Sequence, residues 1–162
     1  MNITFAPRGI LQIDDAIIIY RNFSGAPSKF NREGDRNFAV VIPDQETADR
    51  LIADGWNVKI KSRGEDEDPF MFLPVKIKFN DRGPNVYLKT GSRVNKLDEE
   101  SVSCLDDVDI ISVDIDIRPY DWDVNGKTGR TAYLQSISVI QNVDRFAARF
   151  AEEEFPVEDR MF

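Results

Sequence analysis

A two-residue alternation of apolar and polar side chains runs through most of this sequence. It is clear in FLPVKIKFN (72–80), where Val75, Ile77 and Phe79 share one face. A period of two indicates β-strands that bury one side. The pattern therefore predicts a sheet-rich domain, with strands at 10–20, 36–43, 56–61, 72–80, 86–90, 108–122 and 130–141.

Helical signals are few. Asp44 is a suitable N-cap for a helix whose apolar stripe is Ala48, Leu51 and Ile52, and Gly55 suits its left-handed end. A short helix is expected within 91–106. A final helix is predicted to begin at Asp144, with an apolar face at Phe146, Ala147, Phe150 and Ala151.

The order of these elements favours a mostly β fold, an oligonucleotide/oligosaccharide-binding (OB)-like antiparallel β-barrel with an inserted short helix. We expect one domain over 1–143, followed by a C-terminal helix and acidic tail over 144–162. NGKTG (125–129) lies between two predicted strands and is interpreted as a hairpin turn. A phosphate-binding loop would require glycine where Asp121 stands.

The residue inventory excludes several kinds of chemistry. With no histidine and one cysteine, the chain cannot form a Ser-His-Asp triad, a Cys-His pair or a His- or Cys-rich zinc site. Cys104 is predicted to be a small buried apolar residue. No cofactor or metal is expected. No apolar run approaches membrane-spanning length and no secretory signal is recognised, so we expect a cytoplasmic protein.

Charge is segregated along the chain, whose net charge is −8. Residues 97–117 carry eight acidic and no basic side chains, and 144–162 carry six acidic and three basic ones. Residues 1–96 hold fifteen Lys and Arg against thirteen Asp and Glu, four of them in the block 65–68. Such asymmetry is informative about partners.

The loop YRNFSGAPSKFNREGDRNF (20–38) combines aromatic rings with cations. Single-stranded nucleic acid offers phosphates to cations and unpaired bases to aromatic rings, so this combination favours a single-strand groove. Phe38, Trp56 and Phe79 are expected in the core, and whether Phe23 and Phe30 stack on bases or pack inside is open. The candidate contacts are Arg21, Phe23, Lys29, Phe30, Arg32, Arg36, Lys59, Lys61, Lys76, Lys78, Tyr87, Lys89, Arg93, Tyr120, Trp122, Lys127, Arg130 and Tyr133.

Two other functions are compatible with these residues. The exposed rings are also typical of a protein-interaction or virion-associated structural domain. A magnesium-dependent nuclease is the other alternative, because a cluster of carboxylates can hold two metal ions. In this sequence the same carboxylates are also explained as the polar side of a strand. They are Asp106, Asp107, Asp109, Asp114 and Asp116.

The tail AEEEFPVEDRMF (151–162) is acidic and ends in an aromatic residue. It can compete with a polyanion for a basic groove, or dock Glu158, Asp159 and Phe162 on a partner protein. A frayed terminus explains it equally well.

Several segments carry a resemblance to a known family. RNFSG, FNREGDRNFAVVIP, ADGWNVKIK, FLPVKIKFN and RPYDW…NGKTGRTAYLQSI resemble small phage-encoded single-stranded DNA-binding proteins over about residues 5–155. The resemblance implies an OB fold, non-catalytic coating of single strands during DNA replication or recombination, no cofactor, and recruitment of partner proteins through the tail. Arg160 and Met161 depart from the aspartate-rich tip ending in Pro-Phe that is usual in bacterial relatives. Homo-oligomer formation and DNA against RNA preference stay open.

Overall fold

The computed structural model describes residues 1–143 and residue 146. The single α-helix of this part is α1 (Gln45–Ala53). The predicted helix from Asp144 and the acidic tail lie outside the described residues, apart from Phe146. The strands are β1 (Asn2–Phe5), β2 (Leu11–Asp14), β3 (Ile18–Asn22), β4 (Arg36–Ile42), β5 (Lys59–Lys61), β6 (Phe70–Ile77), β7 (Asn85–Thr90), β8 (Arg93–Leu97), β9 (Ile110–Val124) and β10 (Lys127–Gln141).

The ten strands form one sheet, which confirms the mostly β prediction. Its main path runs β1-β2-β9-β10-β6-β4-β3, with β5 added to β6, and with β7 added to β10 and β8 to β7. Neighbouring strands are antiparallel except where β10 runs parallel to β6 and β7. The sheet curls around an apolar core without closing, because β1 and β3 at its ends do not pair within the described part.

The hairpin of β9 and β10 is the longest feature of the sheet. Asn125 and Gly126 form its two-residue turn, with φ of 51° and 78°. Positive φ at both positions fits the twist of flanking strands, and Asn-Gly adopts it readily. Val124 pairs with Lys127 across the turn, so NGKTG belongs to a hairpin, as predicted.

Helix α1 begins as the sequence predicts. The Asp44 carboxylate accepts a 2.8 Å hydrogen bond from the Thr47 N–H, and hydrogen bonds from Thr47 lower the pKa of Asp44. Ala48 and Leu51 are fully buried, whereas Ile52 is 45% exposed and corrects the predicted stripe. Gly55 follows the helix with φ 101°.

Several predicted strand boundaries are wrong. The strand expected over 10–20 is interrupted by Asp15, whose φ is 54°, and becomes β2 and β3. The strand expected over 56–61 shrinks to Lys59–Lys61, where Ile60 is exposed. In β9 Ile111 is also exposed, outside the predicted apolar face. Strands β1 and β8 were not predicted.

Cys104 lies in a short 3-10 helix over Val102–Asp106, within the segment where a short helix was expected. It is exposed, which corrects the predicted burial. Partial desolvation, together with the carboxylates of Asp106 and Asp107, raises the pKa of its thiol. The thiol therefore has little nucleophilic character.

Among the described residues, no helix combines the length and the apolarity needed to traverse a lipid bilayer.

Candidate nucleic-acid interface

The first part of the 20–38 loop is structural. Phe23 is fully buried and stacks on Phe38, with ring centroids 5.3 Å apart. Its N–H donates a 2.6 Å hydrogen bond to the Asp106 carboxylate. Phe23 therefore cannot present its ring to a base, which corrects its place among the candidate contacts.

Arg21 and Arg36 attach this loop to the acidic segment of the chain. Arg21 Nη1 donates to the carbonyls of Leu105 and Val108 at 2.9 and 2.8 Å. Arg36 Nε donates to the Phe23 carbonyl at 3.0 Å, and its Nη1 lies 3.2 Å from Glu99 Oε1. Both guanidinium groups are satisfied within the protein, so the expectation that Arg21 contacts phosphate is corrected.

The tip of the loop has the opposite character. Asn31 orders it, because its amide donates to the Ala26 and Asp35 carbonyls at 2.9 and 3.0 Å. The Phe30 ring is nevertheless 91% exposed, with the Lys29 ammonium 5.7 Å from its centroid. The rigid backbone thus holds an exposed ring and a cation together.

The loop tip forms one wall of a concave surface that we name the central groove. It has a volume of about 660 Å³ and is lined by the outer faces of β4 and β6 together with the loop. Six of the residues predicted from the sequence line it, namely Phe30, Arg32, Arg36, Lys76, Lys78 and Tyr133. Arg32 is 3.7 Å from Asp35, but both side chains are largely exposed, so this pair is weak.

The β9–β10 hairpin supplies the opposite wall. Tyr133 pairs in register with Lys76, which places its ring on the groove side of β10. Tyr120 meets Tyr133 edge to face, with centroids 6.1 Å apart. The Arg118 guanidinium lies 4.8 Å from the Tyr133 centroid. Arg118 was not predicted, although its alternation with Tyr120 along β9 gave the signal.

Two further rings were missed by the sequence reasoning, Tyr20 and Phe72. Both line the groove and meet edge to face at 5.6 Å. Tyr20 is 58% exposed and has φ 53°, an uncommon conformation for a bulky residue. Strain of this kind is concentrated at functional sites, where it fixes a side chain in a useful direction.

The cations of β5 lie beside these rings. Lys59 is opposite Phe72 in the β5–β6 pairing, and Lys61 is opposite Phe70. The Lys61 ammonium lies 5.8 Å from the Tyr20 centroid and 5.3 Å from that of Phe72. Rings and cations therefore alternate along this edge of the groove.

Other candidates lie elsewhere. Tyr87 pairs with Ser138, five residues along β10 from Tyr133 and thus roughly 17 Å away. Lys89 and Arg93 pair within the same region of β7 and β8. The structure therefore does not bring these three to the groove. Lys127 is exposed at the hairpin turn.

Arg130 and Trp122 have structural roles near the hairpin. The Arg130 guanidinium bonds to Asp121 Oδ1 at 2.6 Å and to the Asp54 carbonyl, and lies 5.0 Å from the Trp56 centroid. Hydrogen bonding to Asp121 raises the pKa of Arg130, and hydrogen bonding from Arg130 lowers that of Asp121. The Trp122 ring covers Gly129 on the paired strand.

The carboxylates considered for a nuclease mainly hold the fold together. Asp106 accepts from Phe23 and Ser24, and Asp109 accepts from Asn142 at 2.9 Å. Asp114 accepts from the Asp15 N–H at 2.9 Å, and Asp116 accepts from the Ser136 hydroxyl at 3.3 Å. In the described part of the chain no group of three or more acidic or cysteine side chains is arranged to hold a metal ion.

Comparisons with known proteins agree with this architecture. A family model described as "Putative phage ssDNA-binding domain" matches residues 3–161. A search of curated proteins found no significant match.

Among solved structures, the single-stranded DNA-binding protein of bacteriophage Enc34 matches with a TM-score of 0.53 and 15% identity, over 99% of this chain and 94% of that one. The same phage protein in complex with ssDNA gives a TM-score of 0.56 and 13% identity, over 90% and 93% of the two chains. Its C-terminal truncation gives 0.54 and 11%, over 88% and 92%. At these identities the likeness establishes the fold, and it confirms the expected OB-like class.

Proposed function

This chain belongs to the family of phage single-stranded DNA-binding domains, and we propose that it coats single-stranded DNA through the central groove without catalysing a reaction. The site of action is the host cytoplasm, during phage DNA replication or recombination. The domain over 1–143 carries the binding surface. The segment 144–162, with Glu158, Asp159 and Phe162, serves partner docking.

One observation carries the proposal. Exposed rings and cations from the loop, β6 and the hairpin line one continuous concavity. Phe30 and Tyr133 offer flat faces to unpaired bases, and Lys76 and Lys78 offer charge to the phosphates between them. Base stacking contributes about 1–3 kcal/mol per base with little sequence preference, so the groove suits strand coating.

The absence of a bond-breaking role is also part of the proposal. It is supported by the structural hydrogen bonds of Asp106, Asp109, Asp114 and Asp116. Incubation of a labelled single strand with the protein and Mg²⁺ or Mn²⁺ should leave the strand intact. Cleavage that disappears in Asp114→Asn would overturn this part.

The binding test is a fluorescence-anisotropy titration of an oligothymidine at low and high salt. We expect affinity to fall steeply with salt, because bound phosphates release counterions. Lys76→Gln with Lys78→Gln should reduce the slope of log affinity against log salt by about 0.7 for each lost contact. A protein-interaction domain would show no such binding at low salt, and that result would refute the proposal.

A matched control uses Arg50→Gln with Lys96→Gln. These exposed cations remove the same charge, but neither lines the central groove. An equal loss of salt dependence in the control would show that net charge, and not the groove, determines binding.

A further inference from the structure

A second concavity adjoins the central groove, and we name it the basic cleft. It has a volume of about 620 Å³ and shares Lys78 with the groove. Its cationic residues are Arg8, Lys78, Arg82 and Arg118. Every other residue that lines it within the described part of the chain is uncharged, so four positive charges face one space.

Three separate segments bring these charges together. Arg8 lies in the turn Pro7–Gly9 with φ 66°, and this turn packs on β9 so closely that a Cβ at Gly9 would lie 3.1 Å from Pro119 Cγ. Arg118 is the neighbour of Pro119 on β9. Arg8 and Arg118 are therefore held on the same side of the cleft by backbone packing.

Arg82 enters from the opposite side on a tight turn. Asn80 and Gly83 exchange backbone hydrogen bonds of 2.8 and 3.1 Å, and the Asn80 side chain accepts from the Arg82 N–H at 2.8 Å. The turn is thus fixed locally, without a contribution from the Arg82 guanidinium. That guanidinium has no carboxylate partner among the described residues.

Clustered like charges oppose folding, since each repels the others. Arg21, Arg36 and Arg130 show how this chain uses arginine for structure, with carbonyl or carboxylate partners within hydrogen-bond distance. The arginines of the basic cleft lack such acidic partners in the described part. Their arrangement is instead complementary to a polyanion.

We propose that the basic cleft binds backbone phosphates of single-stranded DNA where the strand leaves the central groove. This inference rests on the function proposed above. Two residues join the surfaces, because Lys78 lines both and the Arg118 guanidinium lies over the Tyr133 ring that borders the groove. A strand that stacks on Tyr133 is thereby directed toward Arg118, Arg8 and Arg82.

A competing exit exists at the other end of Lys76. That concavity, of about 440 Å³, is lined by Lys76, Trp122 and Arg130. Arg130 is already paired with Asp121 and Asp54, so it attracts a phosphate weakly. Charge therefore favours the basic cleft over this alternative.

The test compares two oligothymidines, of about 5 and about 15 nucleotides, within the range of lengths that OB folds bind. The shorter strand fills the central groove, and the longer one also enters the cleft. Arg8→Gln with Arg82→Gln should weaken binding of the longer strand by about tenfold at low salt and lower its salt slope by about 1.4, for two phosphate contacts. Affinity for the shorter strand should be unchanged.

The control is again Arg50→Gln with Lys96→Gln, two exposed cations outside both concavities, which should leave both affinities unchanged. Melting temperatures of all variants check folding. If the wild type binds both strands and the cleft variant binds them as well as the wild type, or loses both equally, the cleft inference is wrong. If the wild type binds neither strand, the proposed function itself is wrong.

Discussion

Tyr133 of β10 and Lys76 of β6 lie side by side in a parallel bridge that joins the long hairpin to the rest of the sheet. The bridge places a ring and an ammonium group on the same face of two neighbouring strands. These are the two chemical groups that an unpaired nucleotide requires, one for its base and one for its phosphate.

Tyr133→Ala should therefore weaken oligothymidine binding by about 1–3 kcal/mol, because one stacking surface is lost. Tyr133→Phe retains the ring and should bind like the wild type. Anisotropy titrations at constant salt measure both. An unchanged affinity in Tyr133→Ala would remove this ring from the binding surface.

Phe23 and Phe30 should respond in opposite ways. Phe23→Ala leaves a cavity beside Phe38 and should cost about 3–5 kcal/mol of unfolding free energy, with unchanged affinity at temperatures where the variant is folded. Phe30→Ala should change stability by less than about 0.5 kcal/mol, since the ring is exposed. It should weaken oligothymidine binding.

Urea unfolding and anisotropy titration separate these effects. Phe23→Leu, which leaves a smaller cavity, provides a folded variant if the alanine variant is too unstable. A large stability loss in Phe30→Ala, with normal binding, would assign that ring to packing.

Asp121 should make stability depend on pH. The Arg130 hydrogen bond holds the pKa of Asp121 below its usual range in the folded protein. A depressed pKa contributes stability above the unfolded value of about 3.9, and the contribution is lost as the pH falls through the lower folded pKa. Asp121→Asn should therefore lower Tm at pH 7, and the two Tm values should converge between about pH 4 and pH 2.

Asp123→Asn is the matched control, two residues along the same strand and without an ion pair in the described part of the chain. It should follow the wild-type pH profile. A constant difference in Tm between Asp121→Asn and wild type at every pH would contradict the ionic explanation.

Gly129 should be intolerant of a side chain. A Cβ at this position would collide with the Trp122 indole and lie 2.7 Å from its Cε2 atom. Gly129→Ala should displace the indole and increase quenching of tryptophan fluorescence by iodide. Trp56 is buried and should contribute little to the change. In Trp122→Phe with Gly129→Ala the increase should be absent, and its persistence would contradict this packing.

Sequence and structure contributed differently to these conclusions. The alternation in β6, the Asp44 cap and the Asn125-Gly126 turn were all readable from short stretches, because each depends on interactions within a few residues. The mostly β class followed from the same local patterns.

The identity of the binding rings and cations did not. Phe23 and Phe30 stand seven residues apart in one basic loop, yet one is fully buried and the other 91% exposed. Arg21 is used up by carbonyls more than eighty residues away, whereas Arg118, on an acidic strand, is brought against Tyr133. The sequence by itself determined which residue types were present and which strands carried them. Only the tertiary structure decided which faced solvent, because burial and charge pairing depend on contacts between distant segments.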